Sequence, residues 1–247
     1  MEIGAVFTTR RGTRDAAGSR VPRLLRAQLV ELDSINHCTW RAHDHEHVFE
    51  QDGARQRYLE LLAEYKDKHG IVIHSYCLMG THPHVVCTAS KGQEEFSRYW
   101  KVVNQRFARW YNTQRGRRGQ VVMERLRSPR IQAQGRHQLA VMRYGDMNPV
   151  NAGLVRSPKD WPWSSYRHYA FGEPNPLIDD AAEYIALGST GPQRRKAYQA
   201  FFAVPLATKL DDERKELVDA SFIGDAAWIA ERLRGVGVSL AREVPDG

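Results

Sequence analysis

The stretch 71–88 constrains the fold of this chain more than any other. It consists of two short apolar runs, rich in β-branched and aromatic residues, separated by Gly80 and Thr81. This pattern predicts two strands joined in a hairpin. Because side chains alternate between the faces of a strand, His82 and His84 should point to the same face. Two such imidazoles can share a divalent cation if a third ligand is present, and are otherwise ordinary half-buried strand histidines.

The composition is that of a globular protein with a basic excess. The 247 residues include 36 Lys and Arg against 29 Asp and Glu, a net charge of +7, and 42% are hydrophobic. A basic excess suits a polyanionic partner, although many basic proteins bind none. No apolar run is long enough to span a bilayer, and the first residues lack the apolar core of a signal peptide. We therefore expect a cytoplasmic protein without a membrane partner.

The order of predicted elements indicates the fold class. Strands are predicted at 34–41, 71–79, 84–88 and 121–131, and amphipathic helices at 54–69 and 93–113. This β-α-β-β-α-β order is typical of an α+β, ferredoxin-like (RRM-like) fold, in which one antiparallel sheet carries its helices on one face. The other face would then be open to a ligand.

A further helix is predicted at 135–148. It carries Tyr144 and Asn148 four residues apart, so both should project from one side of the helix. Gly145 lowers helix propensity and would let another chain approach closely. Pro149 disfavours the helical conformation of the residue before it, so the helix should end or kink at Asn148.

The chain divides into three predicted regions. Residues 1–21 are polar and unpatterned and are predicted to be a flexible leader, and residues 22–170 form the main domain. Residues 171–247 are predicted to be a helical C-terminal accessory region, with helices at 179–187, 193–203, 211–218 and 225–234. This region either packs against the main domain or binds the polyanionic partner that the basic excess suits.

Arginines are concentrated on the outer face of the helix at 93–113, in the loop after it, and in the segment 121–131. A solvated surface is the simplest interpretation, but arginines with few intervening acids also suit a phosphate backbone. The candidate DNA-binding residues are Arg23, Arg26, Arg106, Arg109, Arg115, Arg117, Arg118, Arg125, Arg127 and Arg130.

A second histidine cluster, His43, His45 and His47, alternates with acidic residues. Imidazole and carboxylate are good zinc ligands, so a zinc protein built on these residues is one alternative. The stretch is polar, however, and lacks an apolar frame to hold ligands in place, which favours a solvated turn.

Three motifs carry a resemblance to a known family. The sequences YCLMGTHPH at 76–84, YGDMNPVNAGLV at 144–155 and WPWSSY at 161–166 resemble single-tyrosine HUH transposases, and most of all the REP-associated tyrosine transposases. The motifs occur in the family's order and at similar spacing. The resemblance implies that Tyr144 is a nucleophile and that His82, His84 and Asn148 hold Mg²⁺ or Mn²⁺.

The function implied by the resemblance is metal-dependent cleavage and rejoining of single-stranded or hairpin DNA through a 5′-phosphotyrosine intermediate. Such a DNA transposase would work at the nucleoid. Gly80, Pro83 and Gly145 depart from the family's pattern. They keep open the alternative of a catalytically weakened or domesticated single-stranded nucleic-acid-binding protein. The resemblance does not specify the DNA target or the role of the C-terminal region. It is also compatible with a monomer or a homodimer, and with a mobile element or a domesticated function.

Overall fold

The computed structural model describes residues 6–8, 24–123, 125–203 and 220–238. Its strands form one sheet in the order β1-β6-β5-β2-β4-β3. The strands are β1 (Val6–Thr8), β2 (Ser34–Thr39), β3 (Ile71–Leu78), β4 (Pro83–Ala89), β5 (Arg130–Ile131) and β6 (Ala220–Ile223). The four strands β5-β2-β4-β3 are antiparallel, which is the arrangement expected for the β-α-β-β-α-β order. Because β6 pairs with β5 in parallel, the whole sheet is mixed. The prediction of an α+β, ferredoxin-like fold is confirmed.

Eight α-helices are found in the described residues. They are α1 (Arg26–Leu29), α2 (Asp52–His69), α3 (Gly92–Gln114), α4 (His137–Asn151), α5 (Tyr166–Phe171), α6 (Ala182–Ile185), α7 (Gly191–Ala203) and α8 (Ala226–Gly235), together with short 3₁₀ turns at His43–His45 and Pro158–Asp160. The predicted helices of the main domain are therefore present, with small differences at their ends. Within the described ranges, no helix has the length and apolar character needed to cross a membrane.

Helices α2 and α3 cover one face of the sheet, as predicted. Apolar side chains of β2 and β4 meet the aromatic side chains of both helices in a fully buried core. Within it, the indole nitrogen of Trp40 donates a hydrogen bond to the Tyr58 hydroxyl at 2.9 Å. Phe96, Trp100 and Phe107 of α3 are buried there, so the aromatic row of this helix is core and not a surface for stacking bases.

The opposite face of the sheet is covered by α4, with α5, α6 and α7 behind it. Val86 of β4 and Ile131 of β5 pack with Leu139 and Met142 of α4, in a core that extends to Tyr169 and Tyr198. The face that was expected to be open therefore carries the helix that holds Tyr144 and Asn148.

Two local predictions were wrong in part. The predicted strand at 121–131 is a strand only at Arg130–Ile131, preceded by single bridges from Val122 and Arg127. Pro129 interrupts this stretch and has no N–H to donate to a neighbouring strand. Helix α4 does not end at Asn148 but continues to Asn151. One intrahelical bond is missing at Pro149, and the bond from the Leu154 N–H to the Pro149 carbonyl, at 2.9 Å, closes the end of the helix.

The two ends of the chain differ from their predicted descriptions. Val6–Thr8 lie in the stretch predicted to be a flexible leader, yet they form a strand paired with β6; residues 1–5 and 9–21 of that stretch lie outside the described residues. The C-terminal region contains α6, α7 and α8 near the predicted helices, but it also contributes β6 and is not purely helical. The helix predicted at 211–218 lies outside the described residues.

Candidate active site

His82 and His84 lie where the hairpin of β3 and β4 turns. The Met79 N–H donates to the His82 carbonyl at 3.0 Å and closes the turn. Pro83 is the first residue of β4, a strand position that tolerates proline. The two imidazole rings are in contact edge to face, with centroids 4.8 Å apart. The hairpin thus brings the two histidines together as the sequence predicts.

Helix α4 brings Tyr144 and Asn148 to the same place. The Tyr144 ring is nearly perpendicular to the His84 ring, with centroids 5.5 Å apart. The side-chain nitrogen of Asn148 is 3.3 Å from Nε2 of His84 and 3.0 Å from the Tyr144 carbonyl oxygen. Because α4 crosses the sheet at β4, a single helical turn supplies both residues to the histidine pair.

The third motif lies beside the first. Ser165 donates its N–H to the Tyr76 carbonyl at 2.9 Å, and the Leu78 N–H donates to the Trp163 carbonyl at 2.9 Å. The residues 163–165 therefore pair with the edge strand β3 just before the histidine turn. All three sequence motifs meet around one site.

His37 is a site residue that the sequence did not reveal. Its Nε2 lies 2.9 Å from Nδ1 of His84, and the two rings are stacked with centroids 5.1 Å apart. The Tyr144 ring approaches the His37 ring edge-on at 6.1 Å. Strand alternation places His37 and Thr39 on one face, but only the pairing of Thr39 with His84 shows that this face meets the hairpin.

Burial governs the protonation of His82 and His37. It lowers the pKa of His82 to about 4, and the positive charge of Arg41 acts in the same direction. Burial also lowers the pKa of His37 to about 4, with a smaller contribution from His82. Both rings are therefore neutral near pH 7, and a neutral imidazole is the form that binds a metal ion.

The donor types fit a divalent cation. The amide oxygen of Asn148 suits Mg²⁺ or Mn²⁺, and the adjacent imidazoles of His82 and His84 favour Mn²⁺ of the two. In the present arrangement the amide nitrogen of Asn148, and not its oxygen, faces His84, so ligation requires the amide to turn.

The second histidine cluster does not form a metal site. His43 and His45 lie on a 3₁₀ turn, and across the described stretches no three His, Cys, Asp or Glu side chains are grouped to hold a metal ion. His47 instead packs at the hairpin: a Cβ on Gly80 would lie 2.8 Å from Nδ1 of His47. Glycine at position 80 thus makes room for His47.

At Gly145, by contrast, an added Cβ would meet only the His84 Cβ, at an ordinary 3.8 Å.

The candidate DNA-binding arginines that lie in the described residues fall into two groups, exposed and engaged within the protein. Those exposed to solvent are Arg106, Arg109, Arg115, Arg118 and Arg125. Others are engaged within the protein: Arg117 forms an ion pair with Glu46, and Arg130 forms one with Glu31 at 2.7 Å. Arg26 donates to the Leu126 carbonyl at 3.2 Å, and Arg127 is half-buried. Arg23 lies outside the described residues.

Part of this chain is similar to known transposases. The family model described as "Transposase IS200 like" matches residues 32–125, which include His82 and His84 but end before Tyr144. A solved structure of a REP-associated tyrosine transposase bound to a REP hairpin is similar, with 19% sequence identity and a TM-score of 0.49. The match covers 66% of this chain and 96% of that chain. No curated protein sequence matches the chain significantly.

Proposed function

We propose that this protein cleaves and rejoins single-stranded or hairpin DNA with Tyr144 as the nucleophile. The proposal starts from the resemblance to IS200-like transposases, which the family match confirms over residues 32–125. The observation that carries the proposal is the meeting of Tyr144 and Asn148, from α4, with His84, from β4. A tyrosine at an imidazole pair with an amide one helical turn away provides a nucleophile and metal ligands in one place.

In the proposed reaction, the Tyr144 hydroxyl loses its proton and its oxygen attacks the phosphorus of a phosphodiester. The bond from phosphorus to the 3′ oxygen breaks, which leaves a 5′-phosphotyrosine and a 3′-hydroxyl. The reverse attack by a 3′-hydroxyl restores a phosphodiester and releases Tyr144, so strands are exchanged without an external energy source. His82, His84 and the Asn148 amide oxygen would hold Mg²⁺ or Mn²⁺, and the bound ion would neutralise negative charge on the phosphate.

The packing of α4 supports the positioning role that such a reaction needs. The Tyr198 hydroxyl of α7 donates to the Asp146 carboxyl group at 3.1 Å, and the Arg143 guanidinium lies over the Phe201 ring at 5.2 Å. These contacts hold α4 from the side opposite the sheet. A nucleophile on a helix held from both sides keeps its orientation better than one on a loop.

The proposed substrate is DNA in a single-stranded or hairpin form. In-line attack by a tyrosine is hindered within a duplex, and the exposed arginines can neutralise the phosphates of a flexible strand. Tyr144, Asn148 and both histidines come from one chain, so the proposed reaction does not require a second copy.

The test is covalent trapping. A hairpin DNA with single-stranded flanks, labelled at the 5′-phosphate side of the cleavage point, is incubated with the protein and Mn²⁺ and resolved on a denaturing gel. We expect a protein–DNA adduct that Tyr144→Phe abolishes and that Tyr65→Phe, a matched loss of a hydroxyl on α2, leaves unchanged. An adduct that persists in Tyr144→Phe would rule out Tyr144 as the nucleophile.

A nucleic-acid-binding protein without cleavage activity is the second candidate. The observation that favours it is the orientation of Asn148, whose amide nitrogen and not its oxygen faces His84. The same gel, run beside a native binding assay, separates the two candidates. Retarded DNA on the native gel without any adduct on the denaturing gel supports binding alone.

A further inference from the structure

The hydrogen bonds around Asn148 determine where protons lie on the neighbouring histidine. The Tyr144 carbonyl oxygen can only accept a hydrogen bond, so the Asn148 atom 3.0 Å from it must be the amide nitrogen. That same nitrogen lies 3.3 Å from Nε2 of His84. An amide nitrogen can only donate, so Nε2 of His84 must be the acceptor and carries no proton.

The proton of His84 is therefore on its other nitrogen. A neutral imidazole has one N–H, which must be at Nδ1 when Nε2 accepts. Nδ1 of His84 lies 2.9 Å from Nε2 of His37, so Nε2 of His37 must accept this hydrogen bond. The hydrogen bonds thus run in one direction, from the Asn148 amide to His84 and from His84 to His37.

His37 is held firmly in the accepting position. It is fully buried on β2, the strand next to β4, and its ring stacks on that of His84 with an interplanar angle of 11°. Its Nδ1 is buried and has no hydrogen-bond partner within the described residues. A buried N–H without an acceptor is unfavourable, so packing alone would favour an apolar side chain here. Among the described residues, the ring makes its polar contact with His84 alone.

We propose that His37 is a positioning residue, which fixes the His84 tautomer that leaves Nε2 unprotonated for a metal ion. The proposal rests on the proposed function, because it assumes that His84 is a metal ligand. Ligating histidines are generally oriented by an acceptor at their second nitrogen, and loss of that acceptor typically lowers metal affinity by about 10- to 100-fold. Here the acceptor is another imidazole.

The first test compares two substitutions of similar size. Gln places an amide oxygen near the position of Nε2 of His37, whereas Met fills similar space with a poor acceptor. The dissociation constant of Mn²⁺ is measured from the electron paramagnetic resonance signal of free Mn²⁺. We expect His37→Met to raise it by about 10-fold or more, and His37→Gln to recover most of the wild-type affinity. Equal affinity of His37→Met and wild type would overturn the proposal.

A control substitution separates positioning from a general loss of stability. Cys38 is buried on the other face of the same strand, so Cys38→Ala should lower the thermal unfolding temperature while leaving the Mn²⁺ dissociation constant unchanged. If Cys38→Ala weakened Mn²⁺ binding as much as His37→Met does, the effect at position 37 would be structural and the proposal would fall.

The second test needs no substitution at all. Long-range ¹H–¹⁵N spectra of the metal-free wild-type protein report which nitrogen of His84 is protonated. We expect the Nδ1–H form, and an Nε2–H form would overturn the proposal even if the Met variant did not fold. A failure of the proposed function would give a different result. Wild type and His82→Ala would then bind Mn²⁺ equally weakly, because the histidine pair would not be a metal site, while His84 would still be in the Nδ1–H form.

Discussion

The hydroxyl of Tyr198 and the carboxyl group of Asp146 are joined by a hydrogen bond of 3.1 Å that links α7, in the C-terminal region, to the helix that carries Tyr144. Asp146 is fully buried, and burial raises the pKa of its carboxyl group to about 8, against the effect of hydrogen bonds from Tyr198 and Ser164. Its other oxygen, Oδ1, has no hydrogen-bond partner within the described residues. The C-terminal region is therefore packed against the main domain, which was one of the two roles expected for it.

The first prediction concerns this link. Tyr198→Phe removes the donor and leaves a buried carboxyl group poorly satisfied, so the free energy of unfolding should fall by about 1–3 kcal/mol. Urea denaturation measures the change. Tyr65→Phe, which removes a hydroxyl from a half-buried tyrosine on α2, should change it by less than about 0.5 kcal/mol. An unaltered stability in Tyr198→Phe would show that the hydrogen bond does not hold α7 to α4.

The second prediction concerns Glu46 and pH. Partial burial alone would raise the pKa of Glu46, but hydrogen bonds from Arg117 and Tyr111 outweigh it and hold the pKa below its usual value. A lowered pKa in the folded state stabilises the fold above the unfolded-state pKa of about 4.3, and this contribution is lost as the pH falls through the folded-state pKa. Glu46→Gln should therefore be less stable than wild type at pH 7, and the gap should close as the pH approaches 3.

Denaturation curves between pH 7 and pH 3 measure this gap. Glu50→Gln changes an exposed glutamate for which no ion pair is found among the described residues, and its difference from wild type should stay small and nearly constant with pH. A gap in Glu46→Gln that was independent of pH would show that the ion pair with Arg117 contributes nothing through its charge.

The third prediction concerns the loop after α3. Arg115 and Arg118 are exposed, whereas Arg117 is paired with Glu46. If the loop binds single-stranded DNA, the double substitution Arg115→Ala and Arg118→Ala should weaken binding to every sequence. It should also reduce the slope of log K against log salt by about 0.7 per lost phosphate contact. Arg117→Ala is the matched comparison and should change the slope less, since its charge is already compensated.

Filter binding across a series of salt concentrations measures these slopes. A double variant with the wild-type slope would identify the loop as an ordinary solvated turn. A larger change for Arg117→Ala than for the double variant would instead show that Arg117 leaves Glu46 to bind DNA.

The fourth prediction separates two roles of Asn148. Its amide nitrogen bridges the Tyr144 carbonyl and His84, while its oxygen is the proposed metal ligand. Asn148→Asp loses the bridging donor but keeps an oxygen that can bind the metal. Because the metal ligand is kept, this variant should retain much of the cleavage at saturating Mn²⁺. Asn148→Ala loses both and should need a higher Mn²⁺ concentration for half-maximal cleavage. An alanine variant that needs no more Mn²⁺ than wild type would leave Asn148 with a structural role alone.

The fifth prediction concerns Gly145. The glycine lies inside α4, and an added Cβ would meet the His84 Cβ at 3.8 Å, an ordinary contact. Gly145→Ala should therefore raise the free energy of unfolding by about 0.5–1 kcal/mol, because alanine loses less backbone entropy on folding. Chemical denaturation measures the gain. A less stable variant would show that α4 and β4 approach too closely for any side chain at this position.

The sequence determined the features that depend on neighbouring residues. Strand alternation put His82 and His84 on one face, and helical periodicity put Tyr144 and Asn148 one turn apart. These relationships are local, because a strand or helix imposes its period on whatever residues it contains. The same local reasoning identified the β-α-β-β-α-β order and hence the fold. It did not predict that α4 continues past Pro149 to Asn151, where packing of α4 outweighs the local preference of a residue before proline.

The tertiary structure decided which faces and surfaces meet. His37 lies 47 residues from His84 in the chain and reaches it only because β2 pairs with β4 in one register. Arg117 forms an ion pair with Glu46, 71 residues away, and is therefore not one of the exposed arginines. The segment Val6–Thr8 is a strand because it pairs with the distant strand β6. Contacts between distant residues follow from the register of strands and the packing of helices on the sheet. These contacts cannot be read from any single stretch of sequence, because each contact depends on how the whole domain packs.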